Sequence, residues 1–219
     1  MTTMMAAKPA RPEAGWPVAS VAAALRLDPL PADVTRAIDT WLDALAEWNA
    51  KMDLTAAKDA QALVWLMLAD ASLLARVIPV GASVVDVGTG AGAPGLALAV
   101  MRPDLHVTLV EALGKRVAFL RTVIGKLGRL DIKLDATDAH GIARTRYDVA
   151  MSRATLRPSE WLALGAALVR DGGSVWVFLA RDALPSVDEA TLTETIEYDH
   201  RDEAAELVKR RLVRYVVRA

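Results

Sequence analysis

The chain has 219 residues, 53% of them hydrophobic, and a formal net charge of −1. Such a chain is not disordered and has no global attraction for nucleic acid, so RNA could be held only by a local basic patch. With no cysteine, disulfides, thiolate zinc sites and cysteine nucleophiles are excluded. The stretch up to Pro17 lacks the apolar core of a signal peptide and carries Lys8 and Arg11, while charges or prolines interrupt each long apolar run. No membrane span is expected, and the expected compartment is the cytoplasm.

In chain order, residues 1–30 read as a flexible lead-in, with Pro29 and Pro31 at its end. Residues 31–80 read as an N-terminal helical cap. Its first helix is expected from Asp33, as N-cap, to about Asn49, because Val34, Ile38, Trp41, Leu42, Leu45 and Trp48 fall on one face. Trp41, Trp48 and Trp65 are assigned to the core. A second helix, about 59–78, is apolar almost all round and so should be buried. Residues 81–219 alternate strand and helix. Strands are expected at about 83–88, 106–111, 131–134, 147–151, 174–179, 193–198 and 211–217. Helices are expected at about 94–101, 114–127 and from Pro158 to near Arg170, with a short one near 138–143. Gly128 should stop the helix at 114–127, and Asp171-Gly172-Gly173 should turn into the fifth strand. Repeated βα units imply an α/β fold with a mostly parallel sheet.

Chemistry concentrates in Asp86-Val-Gly88-Thr-Gly90-Ala-Gly92-Ala-Pro94-Gly95, at the carboxyl end of the first strand. Glycines there allow sharp turns and close approach to a ligand, and Pro94 suits a first helical turn. Two ligand readings remain open. Gly90 to Gly95 satisfies G-x-G-x-x-G, and Glu111 ends the next strand, where a ribose-binding acid sits in dinucleotide folds. Against a pyrophosphate stand the charge of Asp86 and the donor missing at Pro94. S-adenosylmethionine is cationic at sulfur and phosphate-free, and it would use the same glycines and Glu111.

These residues, with Glu111-Ala-Leu-Gly-Lys115-Arg116, Phe119-Leu120 and Ser152-Arg153-Ala154, resemble the RsmG-type (glucose-inhibited division protein B) 16S rRNA guanine-N7 methyltransferases. Asp53-Leu54-Thr55 and Asp70-Ala71-Ser72-Leu73 are similar to two further motifs of that family. The resemblance implies a class I S-adenosylmethionine-dependent methyltransferase fold, Rossmann-like, with a seven-stranded sheet whose last strand is antiparallel. It implies methylation of a guanine in the decoding region of 16S rRNA, free or in the small ribosomal subunit, by a monomer. Cofactor contacts are implied at Asp86, Gly88, Gly90, Gly92, Ala93, Glu111, Thr137, Asp138 and Arg153, and catalytic roles at Asp70, Asp138 and Arg153. An RNA patch of Lys115, Arg116, Arg121, Lys126, Arg157 and Arg181 goes with it, although the helical cations could equally form a solvated face. The chain departs from the family pattern at Ala93, at Ala136-Thr137-Asp138, in Met67-Leu68-Ala69 where a histidine is usual, and after the fifth strand, where Arg181 lies near an absent lysine. N7 carries a lone pair and no proton, so positioning and desolvation suffice and no general base is needed. Asp70 or Asp138 could face the positive charge gained by the product, although Asp70 could also be a capped or exposed helix acid. His106 and His140 are isolated, so no metal site is expected, and His200 reads as surface within the polar segment 194–206.

Overall fold

Seven strands form one mixed sheet: β1 (Ser83–Val87), β2 (His106–Val110), β3 (Lys133–Asp135), β4 (Tyr147–Ser152), β5 (Val169–Leu179), β6 (Ala190–Arg201) and β7 (Leu207–Val217). Their order is β3-β2-β1-β4-β5-β7-β6. The first five are mutually parallel, and β7 lies antiparallel to both β5 and β6. The computed structural model describes residues 8–142, 146–153, 155–201 and 206–218. Strand order reverses between β1 and β4, the switch point where open α/β sheets leave a crevice at their carboxyl edge.

One face of the sheet is covered by α1 (Val18–Ala24), α2 (Ala32–Asn49), α3 (Ala60–Val77), α4 (Gly95–Met101) and α5 (Gly114–Leu127). Apolar residues of all five helices and of the sheet join in a single cluster that includes Trp41, Leu68, Leu98, Phe119 and Trp176. The other face packs on α6 (Pro158–Leu168) through Trp161, Val175 and Val213. The N-terminal helices are therefore a layer of the same core rather than a lid set on it.

The described part of the N-terminal segment is not a loose lead-in. Trp16, Val18 and Val21 are buried, and Trp16 Nε1 donates to the Asp43 carboxylate at 2.8 Å. α2 starts one residue before Asp33, which lies in its first turn without a capping bond; Pro31 is the N-cap. By contrast, the Asp59 carboxylate accepts the Ala62 N–H at 2.7 Å and caps α3. By length and hydropathy α3 could cross a membrane, the only described helix that could. Here it lies against α4 and β6 with Leu63, Val64, Leu68 and Leu74 buried. α5 has the expected bounds, and Gly128 ends it at φ 64°, the left-handed conformation glycine adopts without penalty.

Two further stretches differ in kind from the sequence reading. Asp171-Gly172-Gly173 falls inside β5 as an irregularity: Tyr147 pairs with Val169, and Val149 pairs with Ser174. At 138–142 the chain makes a turn rather than a helix, and Ala143 lies outside the described residues.

Candidate functional site

A cavity of about 650 Å³ opens at the switch point. β1 delivers the glycine loop to its floor. The N–H groups of Gly88 and Thr89 donate to the Val110 carbonyl at 2.9 and 3.1 Å, fastening the loop to the end of β2. On the other side, the Ser152 and Thr155 hydroxyls donate to the Val87 carbonyl at 2.7 and 3.1 Å, fastening it to the end of β4. Gly88 has φ 73°, and a Cβ there would lie 1.9 Å from Thr155 Oγ1, so no side chain fits.

Glu111 is 4% exposed. Its Oε2 accepts the Gly90 N–H and its Oε1 the Leu113 N–H, both at 2.9 Å, and Arg116 Nη1 stands 3.8 Å from Oε2. Each carboxylate oxygen keeps a lone pair for a ribose hydroxyl. Gly88, Gly90, Ala93, Glu111, Thr137, Asp138 and Arg153 all line this cavity, as does Arg116. These are the cofactor positions the sequence marked, brought together. The Asp138 carboxylate accepts the N–H groups of His140 and Gly141, both at 2.9 Å, so it shapes its own turn.

Two marked positions lie behind the loop and not on the cavity. Asp86 is fully buried, and its Oδ2 accepts the Gly95 N–H at 2.8 Å. Burial pushes its carboxyl up to about 6, against the opposing pull of the Thr89 hydroxyl, the Gly95 N–H and Arg153. Gly92 faces inward as well: a Cβ there would meet Leu96 at 2.9 Å and the Trp41 ring at 3.1 Å. Asp86 thus acts on the start of α4 and not on a ligand. At that start, the Gly95 N–H goes to Asp86, the N–H groups of Leu96 and Ala97 to the Gly92 carbonyl, and Pro94 has none to give. No first-turn donor is left for a pyrophosphate, which weighs against the dinucleotide reading.

Asp70 does not reach the cavity either. At 1% exposure it is held between two partners, Arg153 Nη1 donating to Oδ2 at 2.9 Å and Tyr198 Oη donating to Oδ1 at 2.7 Å. Arg153 Nη1 also donates to the Leu66 carbonyl at 3.0 Å. Burial would raise the Asp70 carboxyl, but Arg153, His200 and the two hydrogen bonds outweigh it and hold it below the usual carboxylate range. This excludes the sequence reading of Asp70 as an exposed helix acid. His200 is 1% exposed, not a surface residue, and its ring meets Tyr198 edge-on at 6.3 Å.

A second cavity of about 320 Å³ adjoins the first at the carboxyl ends of β4 and β5. Arg153 and Leu156 line both. Its other walls include Pro158, Trp161 and Phe178, with Asp182 and Arg210 as its remaining charged side chains. The sequence reading missed Asp182 and Arg210, and it left out of the site Leu66 and Met67 of α3, His140 and the Leu54-Thr55-Ala56 link, all on the first cavity.

The six cations proposed for RNA do not form one patch. Lys115 and Arg116 open α5 beside the cavity, whereas Lys126 lies ten residues beyond Arg116, about 15 Å along the helix, and meets Glu47 at 3.8 Å. Arg121 lies between them on the exposed side, Arg157 is paired with Glu160, and Arg181 is exposed after β5. Of the Ser152-Arg153-Ala154 motif, Ala154 lies outside the described residues. Among the described residues, no three His, Asp or Glu side chains converge as a metal site.

Comparison with known proteins gives a consistent picture. The profile of the family described as GidB, rRNA small subunit methyltransferase G, matches residues 35–211. A Ribosomal RNA small subunit methyltransferase G of Clostridium beijerinckii is 37% identical over 162 residues, 71% of this chain and 66% of that protein. One from an Anaeromyxobacter species is 34% identical over 174 residues, 78% of each chain. Among solved structures, M. jannaschii TYW2 in complex with AdoMet superposes with a TM-score of 0.54 at 12% identity, over 68% of this chain and 75% of that one. At that identity the likeness concerns the fold alone.

Proposed function

The chain belongs to the rRNA small subunit methyltransferase G family, and we propose that it methylates N7 of a guanine in the decoding region of 16S rRNA with S-adenosylmethionine as donor. The observation that carries the cofactor is the engaged first turn of α4: the cavity offers ribose acceptors at Glu111, while the helix start has no free N–H for a phosphate. Gly88 and Gly90 admit close backbone approach, Glu111 takes the ribose hydroxyls, and the cations Arg116 and Arg153 suit the methionine carboxylate. When bound, the cofactor supplies a sulfonium methyl that a guanine N7 lone pair can accept without first losing a proton. The protein's part is to align the two and exclude water. Arg153 suits that task, because it lines both cavities and is itself held by Asp70 and Leu66.

The test is tritiated S-adenosylmethionine with unmodified 16S rRNA, assembled small subunits and bulk tRNA, beside calorimetry with S-adenosylmethionine and NAD. Label in one 16S guanine and micromolar binding of S-adenosylmethionine are expected. Tight NAD binding, or label only in tRNA, would overturn the reading.

A further inference from the structure

We propose that the 320 Å³ cavity seats the acceptor base and that Asp182 and Arg210 read the Watson–Crick edge of guanine. The inference rests on the methyltransferase reading above and extends it to residues that neither sequence motif nor family resemblance marked.

Enzymes that modify a base take it out of its stack into a pocket, hold its faces on apolar walls and read its edge with hydrogen bonds. Pro158, Leu156 and Phe178 supply such walls next to the cofactor cavity. Of the two charged groups, Asp182 is exposed and Arg210 is half-buried. Arg210 makes no ion pair among the described residues, its Nε is buried without a hydrogen-bond partner, and it pairs with Tyr198 across β6 and β7. The Asp182 carboxylate likewise has no partner among the described residues, and yet its backbone is fixed, since the Asp182 carbonyl accepts from Arg211 Nη2 at 2.5 Å. That bond ties the loop after β5 to the residue beside Arg210. Donor and acceptor thus line one cavity without pairing to each other.

Guanine fits this pair. Its edge runs from one acceptor, O6, to two donors, N1–H and the N2 amino group, so O6 can take Arg210 and the two donors Asp182. Adenine reverses the order, and uracil sets O2 against the carboxylate. An edge held in this way leaves N7 free, whereas an arginine bidentate on O6 and N7 would block the accepting atom. A carboxylate on N1–H and N2 also opposes the positive charge that the purine gains on N7 methylation.

The experiment compares unmodified 16S rRNA carrying guanosine or inosine, which lacks the N2 amino group, at the accepting position, using tritiated S-adenosylmethionine. Wild type should favour guanosine by roughly tenfold or more in kcat/KM. Asp182→Asn should slow guanosine by roughly tenfold to a hundredfold and bring the ratio close to one. Arg210→Met should slow both substrates by one factor, because inosine keeps O6. Calorimetric affinity for S-adenosylmethionine and the melting temperature should be unchanged in Asp182→Asn. A wild-type guanosine preference that survives Asp182→Asn, or a parallel loss of cofactor affinity, would overturn the assignment alone. A wild-type enzyme that labels no guanine would overturn the proposed function and this assignment with it.

Discussion

Replacing Tyr198 with Phe removes one oxygen and keeps the ring. The lost bond is 2.7 Å long, and its acceptor, Asp70, is 1% exposed. With the hydroxyl gone, the buried Asp70 Oδ1 would lose its hydrogen-bond partner, with Oδ2 still on Arg153. Hydrogen bonds to a buried charge contribute about 1.5–3 kcal/mol, and the ring packing is preserved, so a loss of about 2 kcal/mol is expected at pH 7. Urea unfolding should show it as a lower midpoint at an unchanged slope. The sign with pH follows from Asp70. Its folded carboxyl titrates below the ordinary aspartate value of 3.8, so its stabilisation is complete above that value and is lost as pH falls through the depressed one. The Tyr198→Phe deficit should therefore be full at neutral pH and shrink below about pH 4. A deficit under about 0.5 kcal/mol at pH 7, or one equal at pH 7 and pH 3, would refute the reasoning.

Gly88→Ala should lower affinity for S-adenosylmethionine at least tenfold by calorimetry, because the Cβ displaces Thr155 and the residue holds φ 73°; unchanged affinity would show that the loop yields freely. Asp86→Asn keeps an acceptor for the Gly95 N–H and removes a carboxyl whose folded pKa of about 6 stands above the ordinary aspartate value of 3.8. Such a group costs stability as pH rises from about 4 to 6, so the variant should gain up to about 3 kcal/mol at pH 7 and nothing at pH 3.5, read by urea unfolding. Among the basic residues, Lys115→Ala should reduce the salt slope of 16S rRNA binding by about one, and Lys126→Ala should leave it unchanged, in filter-binding titrations over salt. Equal slopes for the two would return Lys126 to the RNA face.

The glycine loop, its flanking strand and α5 were legible in the sequence because each is fixed locally, by a β-branched run, by glycines and by Gly128. Glu111 was legible for the same reason, as the residue ending a strand. Asp86 was misread because a strand covered on both faces has no polar side to which an acid can be assigned. Only the packing of α4 shows that it serves Gly95. His200 and Tyr198 were hidden by composition, since β6 alternates Glu197 and Asp199 on its exposed side with Ile196, Tyr198 and His200 beneath α3. A period of two was present there and was masked by the charges. α1 escaped notice because its stability comes from burial of Val18 and Val21, not from caps. Asp182 and Arg210 left no sequence signal: the β5–β7 pairing joins them across the cavity.

The cavity could not keep its shape without the N-terminal helices. Trp41 of α2, fully buried, donates its Nε1–H to the Ala91 carbonyl at 3.0 Å, inside the glycine loop. The same ring stands 3.1 Å from where a Cβ at Gly92 would be, so loop and helix are closely fitted to each other. The Leu54-Thr55-Ala56 link, positioned by the Asn49 side chain accepting the N–H groups of Leu54 and Thr55 at 2.9 and 3.2 Å, closes one wall. α3 supplies the Leu66 carbonyl and Asp70 that hold Arg153. A loop with three glycines at positive φ loses much backbone entropy on ordering. It gets its hydrogen bonds from β2, β4 and α2 at once. That explains why the helical layer shares the apolar core of the sheet: its polar contacts must be held to within tenths of an ångström, which a loosely docked cap would not do.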